Sequence, residues 1–142
     1  MAKYIKPTLD TAFHIDFSWW QQDGQNLRAY LAGHACAECQ AAIDNDNPNQ
    51  VLDWVSPSTG EVFQIDMLWH FIRKHCNDDP DFFDSRVPLT TAIFRAFIAN
   101  NNSPLTSTEI CERIGKKSPD LILKTIGARQ VYKGIKPVAT SG

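Results

Sequence analysis

Cys36-Ala-Glu-Cys39 carries two thiols on a loop short enough to grip one ion, and Trp69-His70-Phe71-Ile72-Arg73-Lys74-His75-Cys76 adds two imidazoles and a third thiol. Two cysteines separated by two residues suit tetrahedral Zn²⁺, with Zn–S bonds of about 2.3 Å. The later cluster offers the remaining ligands from His70, His75 and Cys76, and the sequence leaves open which of them are used. His70 and His75 have the spacing of zinc-finger histidines. On an ideal helix they project about 140° apart, and His75 and Cys76 about 100° apart, so either pair on one ion calls for a loosened final turn. His34, two residues before Cys36, is a further potential ligand.

Other chemistries fit less well. A thioredoxin-like cysteine pair opens a helix after a strand, whereas Cys36 and Cys39 follow a helical pattern that stops at Gly33. Glu38 between the cysteines suggests the nucleobase deaminase signature, but the spacing from His34 is wrong and no proline precedes the pair. Four available ligands point to a closed, structural site. Such a site contributes folding free energy that a small lobe otherwise lacks. Asp44-Asn-Asp-Asn-Pro-Asn49 lacks the glycine and terminal glutamate of a calcium-binding EF-hand loop and reads as a polar loop.

Several elements must hold these ligands. Phe13, Ile15 and Phe17 alternate with His14 and Asp16, the period of a short strand. Trp19 and Trp20 read as core or interface anchors, and Leu27, Tyr30 and Leu31 mark the helix ending at Gly33. Val51–Val55 and Glu61–Ile65 flank Ser-Pro-Ser-Thr-Gly60 as a hairpin. Asp66 is placed to cap a helix through Met67, Leu68, Phe71 and Ile72 to about Cys76. Cysteine loop, hairpin and ligand-bearing helix together resemble treble-clef and related zinc-finger arrangements, over about forty residues. Asn77–Asp84 is acidic, contains Pro80 and reads as a linker.

Beyond it, Leu89, Ile93, Phe94, Phe97 and Ile98 form a helical stripe that Asn100–Pro104 breaks. Thr106 or Ser107 opens a second helix with Ile110 and Ile114 inward and Gly115 as its stop. Ser118-Pro119 opens a third, through Leu121, Ile122 and Ile126 to Gly127, with proline at the favoured first position. Arg129–Pro137 closes as an extended strand. Cys111 reads as a small core residue. The run Leu-Thr-x-x-Glu-Ile-x-x-x-Ile-Gly, a polar turn and a second helix resembles a winged helix-turn-helix domain.

The chain has 142 residues, of which 43% are hydrophobic and 21% charged, as in ordinary soluble domains. No apolar run approaches the roughly 20 residues that span a bilayer, and the N-terminus lacks a signal peptide's apolar core. A reducing cytoplasm is therefore the expected compartment, with no membrane partner. Net charge is −2, yet residues 1–86 hold 6 Lys/Arg against 13 Asp/Glu, while residues 87–142 hold 8 against 3. Such asymmetry predicts two different surfaces.

The expected fold is α+β: a zinc-stabilised helix, hairpin and helix lobe over residues 1–84, then a small winged-helix domain over 85–142. The resemblance implies a non-enzymatic DNA-binding protein, a transcriptional regulator. Lys116, Lys117, Ser118 and Lys124 would meet duplex DNA, with Arg129, Lys133 and Lys136 on the wing. Asp120 in the reading helix, and the absence there of arginine, weaken that reading. The alternative is an adaptor subunit that uses the winged helix as a docking module. The acidic, tryptophan-rich N-terminal lobe would bind a protein partner or form a homodimer. No nucleophile–base pair or phosphate-cradling glycine loop points to an enzyme.

Overall fold

The protein is described by a computed structural model covering residues 6–22, 27–39, 41, 51–57, 59–76, 80–83, 86–115, 118–128 and 130–138. Strand β1 (Ala12–Ile15) leads into helices α1 (Phe17–Gln22) and α2 (Leu27–Ala32), so Phe17 starts a helix and does not extend the strand. Strands β2 (Val51–Val55) and β3 (Val62–Asp66) form the expected hairpin, with Asp53 opposite Gln64 and Trp54 opposite Phe63. Helix α3 (Leu68–His75) follows, then a 3-10 turn at Pro80–Phe83. Helix α4 (Leu89–Ala99), strand β4 (Leu105–Thr106), helices α5 (Ser107–Ile114) and α6 (Pro119–Ile126) and strand β5 (Ile135–Pro137) complete the chain. The fold mixes helices with two small sheets, as the α+β expectation required. No helix among the described residues is long and apolar enough to cross a membrane.

Local signals account for α5 and α6. The Thr106 hydroxyl accepts from the Glu109 N–H while the Glu109 carboxylate accepts from the Thr106 N–H, a reciprocal cap at the helix entry. Gly115 ends α5 at φ 69°, the left-handed region that glycine enters without a Cβ penalty. Ser118 then caps α6 by accepting from the Leu121 N–H at 3.1 Å, with Pro119 at the first helical position.

Strand β1 depends on distant partners. It lies between β4 and β5, antiparallel to both, with Phe13 opposite Leu105 and His14 opposite Lys136. Its alternation puts Phe13 and Ile15 fully inside, at 0% and 1% exposure. Beyond β1's pairing with β4, the buried Asn102 side chain takes over that edge: its Oδ1 accepts from Ile15 N–H at 2.6 Å, and its Nδ2 donates to the Ile15 carbonyl at 2.8 Å. Asn101 and Asn102 hold φ of 52° and 59°, a conformation that asparagine tolerates better than most side chains. The Trp54 indole donates to the Asn101 carbonyl and the Trp69 indole to the Asn101 side chain. One three-residue turn thus gathers the first strand, the hairpin and α3.

A single apolar cluster runs through all of these elements and includes Cys39 and Cys76. The middle strand of the sheet that holds β4 and β5 comes from residues 12–15. The extended stretch expected over Arg129–Pro137 is shorter than foreseen: Tyr132 bridges to Ile135 across Lys133-Gly134, and only Ile135–Pro137 pairs with β1. Gly134 has φ 81°, and a Cβ there would meet the Trp20 indole nitrogen at 3.0 Å and the Asp16 carbonyl at 3.1 Å. A larger residue would crowd both groups and be strained at that φ.

Candidate metal centre

Helix α3 builds half of the site. Leu68, Trp69 and Ile72 are its buried residues, and Cys76 continues the same stripe four residues after Ile72 at 2% exposure. Asp66 starts the helix by accepting from the Leu68 N–H at 2.9 Å and is tied to α2 through Arg28 at 3.4 Å. The other half comes from the segment after α2. Tyr30, Leu31 and Ala32 carbonyls accept from the amides of Gly33, His34 and Ala35, a tight turn that swings Cys36 back over the end of α3. Residues 37–39 are again helical, and Cys39 enters the core at 5% exposure.

The result is four ligand atoms, from Cys36, Cys39, His75 and Cys76, all within 4.8 Å of one another. The Cys39 and Cys76 sulfurs lie 3.6 Å apart, and the Cys36 sulfur lies 3.3 Å from His75 Nδ1. Zinc with sulfur ligands at about 2.3 Å would set tetrahedral edges of about 3.7 Å. The donors therefore already stand near the separations a small tetrahedral ion imposes. Three thiols and one imidazole are the borderline-soft set that such ions prefer.

The sequence reading required α3 to loosen at its end, and it does not. Cys76 keeps helical angles, φ −75° and ψ −24°, and donates its N–H to the Ile72 carbonyl. Adjacent ligands converge because the cysteine loop straddles the helix end. Exposed His75 meets half-buried Cys36 on the outside, and buried Cys76 meets buried Cys39 on the inside. His70 does not join them. It sits a turn earlier on α3, beside Phe71 at a ring distance of 6.1 Å, outside the four-atom group.

Electrostatics differ across the four. Burial works to raise the Cys36 thiol, but hydrogen bonds from the Cys39 N–H, the Cys76 and Cys39 thiols and the Glu38 N–H outweigh it and bring it down to about 7. Burial pushes Cys39 and Cys76 up, reinforced at Cys39 by the neighbouring thiols. The Cys36 N–H also points at the Cys76 sulfur at 3.4 Å, the kind of donor that supports a thiolate. Glu38 was noted in the sequence only for its place between the cysteines. Its carboxylate lies 3.0 Å from His75 Nε2, leaving Nδ1 facing Cys36. That is the carboxylate–histidine arrangement which fixes a ligand's tautomer.

His34 has a different task. It is 7% exposed, stacks on Phe94 at 5.3 Å and accepts from the Arg95 guanidinium at 3.1 Å. Burial, with Arg95 beside it, pushes the imidazole down to about 4, so it stays a neutral acceptor at pH 7. No protein-family model matches the chain, and no curated protein or solved structure does either.

The residues expected at nucleic acid are spread differently. Ser118 caps α6 and Lys124 is exposed on it, close to Asp120 at a shared cleft. Lys136 pairs with Asp16 at 3.0 Å, and Lys133 lies over the Tyr30 ring at 5.1 Å. Lys116, Lys117 and Arg129 lie outside the described residues, as does the polar loop at 44–49.

Proposed function

We propose that Cys36, Cys39, His75 and Cys76 hold a structural Zn²⁺, and that the chain is a non-enzymatic DNA-binding protein acting in transcription regulation. Cys36 and His75 close the outer side of the centre, and Cys39 and Cys76 the inner side. Four protein donors fill a tetrahedral shell and leave no position for substrate or water, so the ion's contribution is to fold stability. Zinc content of one ion per chain, retained through purification without chelator and lost in Cys39→Ser, is the expected result.

The DNA reading is carried by the helix pair. α5 and α6 are each independently capped, lie between β4 and β5, and leave Asp120, Leu121 and Lys124 exposed along α6. That order supports a winged-helix-like unit with α6 as the helix offered to the major groove. Lys133 and Lys136 are engaged inside the chain, and this reading assigns the phosphate contacts to Lys116, Lys117, Ser118, Lys124 and Arg129. Few phosphate contacts imply modest affinity with a shallow salt dependence, a slope of about −0.9 per phosphate. Replacing all three lysines with alanine should abolish binding to duplex DNA at low salt. A wild-type chain that binds no duplex at low salt removes this reading.

A second reading, docking onto a protein, is favoured by the same two engaged lysines and by Leu121, 43% exposed on the outer face of α6. Leu121→Ser separates the two. It adds no charge to α6 and so leaves phosphate contacts in place, but abolishes association with a protein partner recovered from the native cell.

A further inference from the structure

A second candidate site lies away from both the metal centre and the helix pair. Between the outer face of β1 and β5 and the β2–β3 hairpin lies a cavity of about 350 Å³. That volume is at the lower end of the roughly 300–1,000 Å³ usual for small-molecule sites. Trp54 and Phe63 of the hairpin supply aromatic wall, and His14, Asp16, Lys136 and Glu61 supply its polar groups. Trp54 and Phe63 are held in place by Phe17, at ring distances of 5.0 and 6.2 Å.

The charges in this wall are not balanced. Lys136 is already neutralised by Asp16 at 3.0 Å. Glu61 carries no ion pair among the described residues, yet its backbone is fixed: its N–H donates to the Thr59 hydroxyl at 3.2 Å and its carbonyl accepts from the Ser56 N–H at 2.8 Å. His14 Nδ1 is buried and has no hydrogen-bond partner among the described residues. An orphaned buried nitrogen calls for a partner, and none of the described residues supplies one. Burial lowers the His14 pKa, against the pull of Asp16, which keeps the ring neutral and able to accept.

From this combination we infer that the cavity between β1, β5 and the hairpin binds an organic ammonium group, with Glu61 as its counter-charge and Trp54 and Phe63 as its aromatic wall. An uncompensated carboxylate beside aromatic rings is the chemistry that recognises such cations. An anion is disfavoured, because the one cation in the wall already has its carboxylate. The group can arrive on a free amine or on the lysine side chain of a protein, and the same contacts serve both.

The test is titration of the full chain, followed by NMR shifts, with butylammonium, tetramethylammonium and N-acetyl-lysine methylamide, and with acetate as the anionic comparison. Saturable shifts at His14, Trp54 and Glu61 at millimolar concentration are expected, together with roughly tenfold weaker binding in Glu61→Gln, the loss of one charge-assisted contact. Glu61 is exposed, so this variant should fold as the parent does, which thermal melting checks. Tighter binding of butylammonium assigns the site to a free amine, and tighter binding of the blocked lysine to a protein side chain; either result sustains the ammonium chemistry. Shifts located elsewhere, binding unchanged by Glu61→Gln, or preference for acetate would overturn it.

Discussion

The α5–α6 pair and the half of the chain that carries the candidate metal centre are built by opposite strategies. In the helix pair every start and stop is settled within a few residues: Thr106 with Glu109, Gly115 at the exit, Ser118 with Leu121. Around the ligands almost nothing is local. Cys36 reaches Cys76 across 40 residues, Trp54 finds Asn101 across 47, and Ile15 is completed by Asn102 across 87. Local caps each contribute about 1 kcal/mol and fail separately. Long-range ties hold several elements at once, so losing one should be felt throughout.

The largest expected effect is at the proposed zinc centre. Cys76→Ser removes an inner ligand and leaves Cys39 without its partner; a loss of roughly 3–5 kcal/mol and a fall in Tm of roughly 10–20 °C are expected, with zinc content dropping in parallel. If the variant keeps both its zinc and its Tm, the centre is not what ties the loop to α3.

Asn102→Ala comes next. It strips both hydrogen bonds from Ile15 and strains a residue at φ 59°, for a cost of roughly 2–4 kcal/mol in urea unfolding. Asn102→Gly relieves the strain but not the lost bonds, so most of the cost should remain. Glu38→Gln probes the centre more gently. It keeps the side-chain shape but removes the charge facing His75, so zinc affinity should fall about tenfold, read by competition with a chelator, with little change in Tm of the loaded protein.

The smallest effect belongs to the local region. Thr106→Ala should cost about 1 kcal/mol, with amide exchange quickening at the first turn of α5 and unchanged around Cys36. Were Thr106→Ala as damaging as Asn102→Ala, the contrast between the two halves would collapse.

This contrast also explains what could be read in advance. The helix pair was legible in detail because serine, threonine, glycine and proline at element ends act within reach of their own neighbours. The hairpin was legible for the same reason, its turn chemistry lying between two β-rich runs. For the centre, residue types and spacing pointed to Cys36, Cys39, His70, His75 and Cys76, of which the structure gathers all but His70. They could not rank His70 against His75, because that depends on how the cysteine loop approaches α3, and the approach is set by the turn at residues 30–35. Geometry on an isolated helix also misled: about 100° between neighbours seemed to demand unwinding, whereas ligands arriving from two sides do not. The roles of Lys133 and Lys136 were hidden because their partners, Tyr30 and Asp16, lie about a hundred residues earlier or more. Nothing in the local pattern of residues 12–15 said that they would become a middle strand.

That placement of residues 12–15 bears on how the molecule is born. A ribosome delivers this segment about ninety residues or more before the ladder partners on both its sides. Until then Phe13 and Ile15 have no sheet to join, and an apolar ribbon with two unpaired edges must be kept from foreign strands. Assembly of the sheet is thereby deferred until β5 emerges, which predicts slow acquisition of protease resistance in nascent chains, arriving only once Ile135–Pro137 has cleared the exit tunnel.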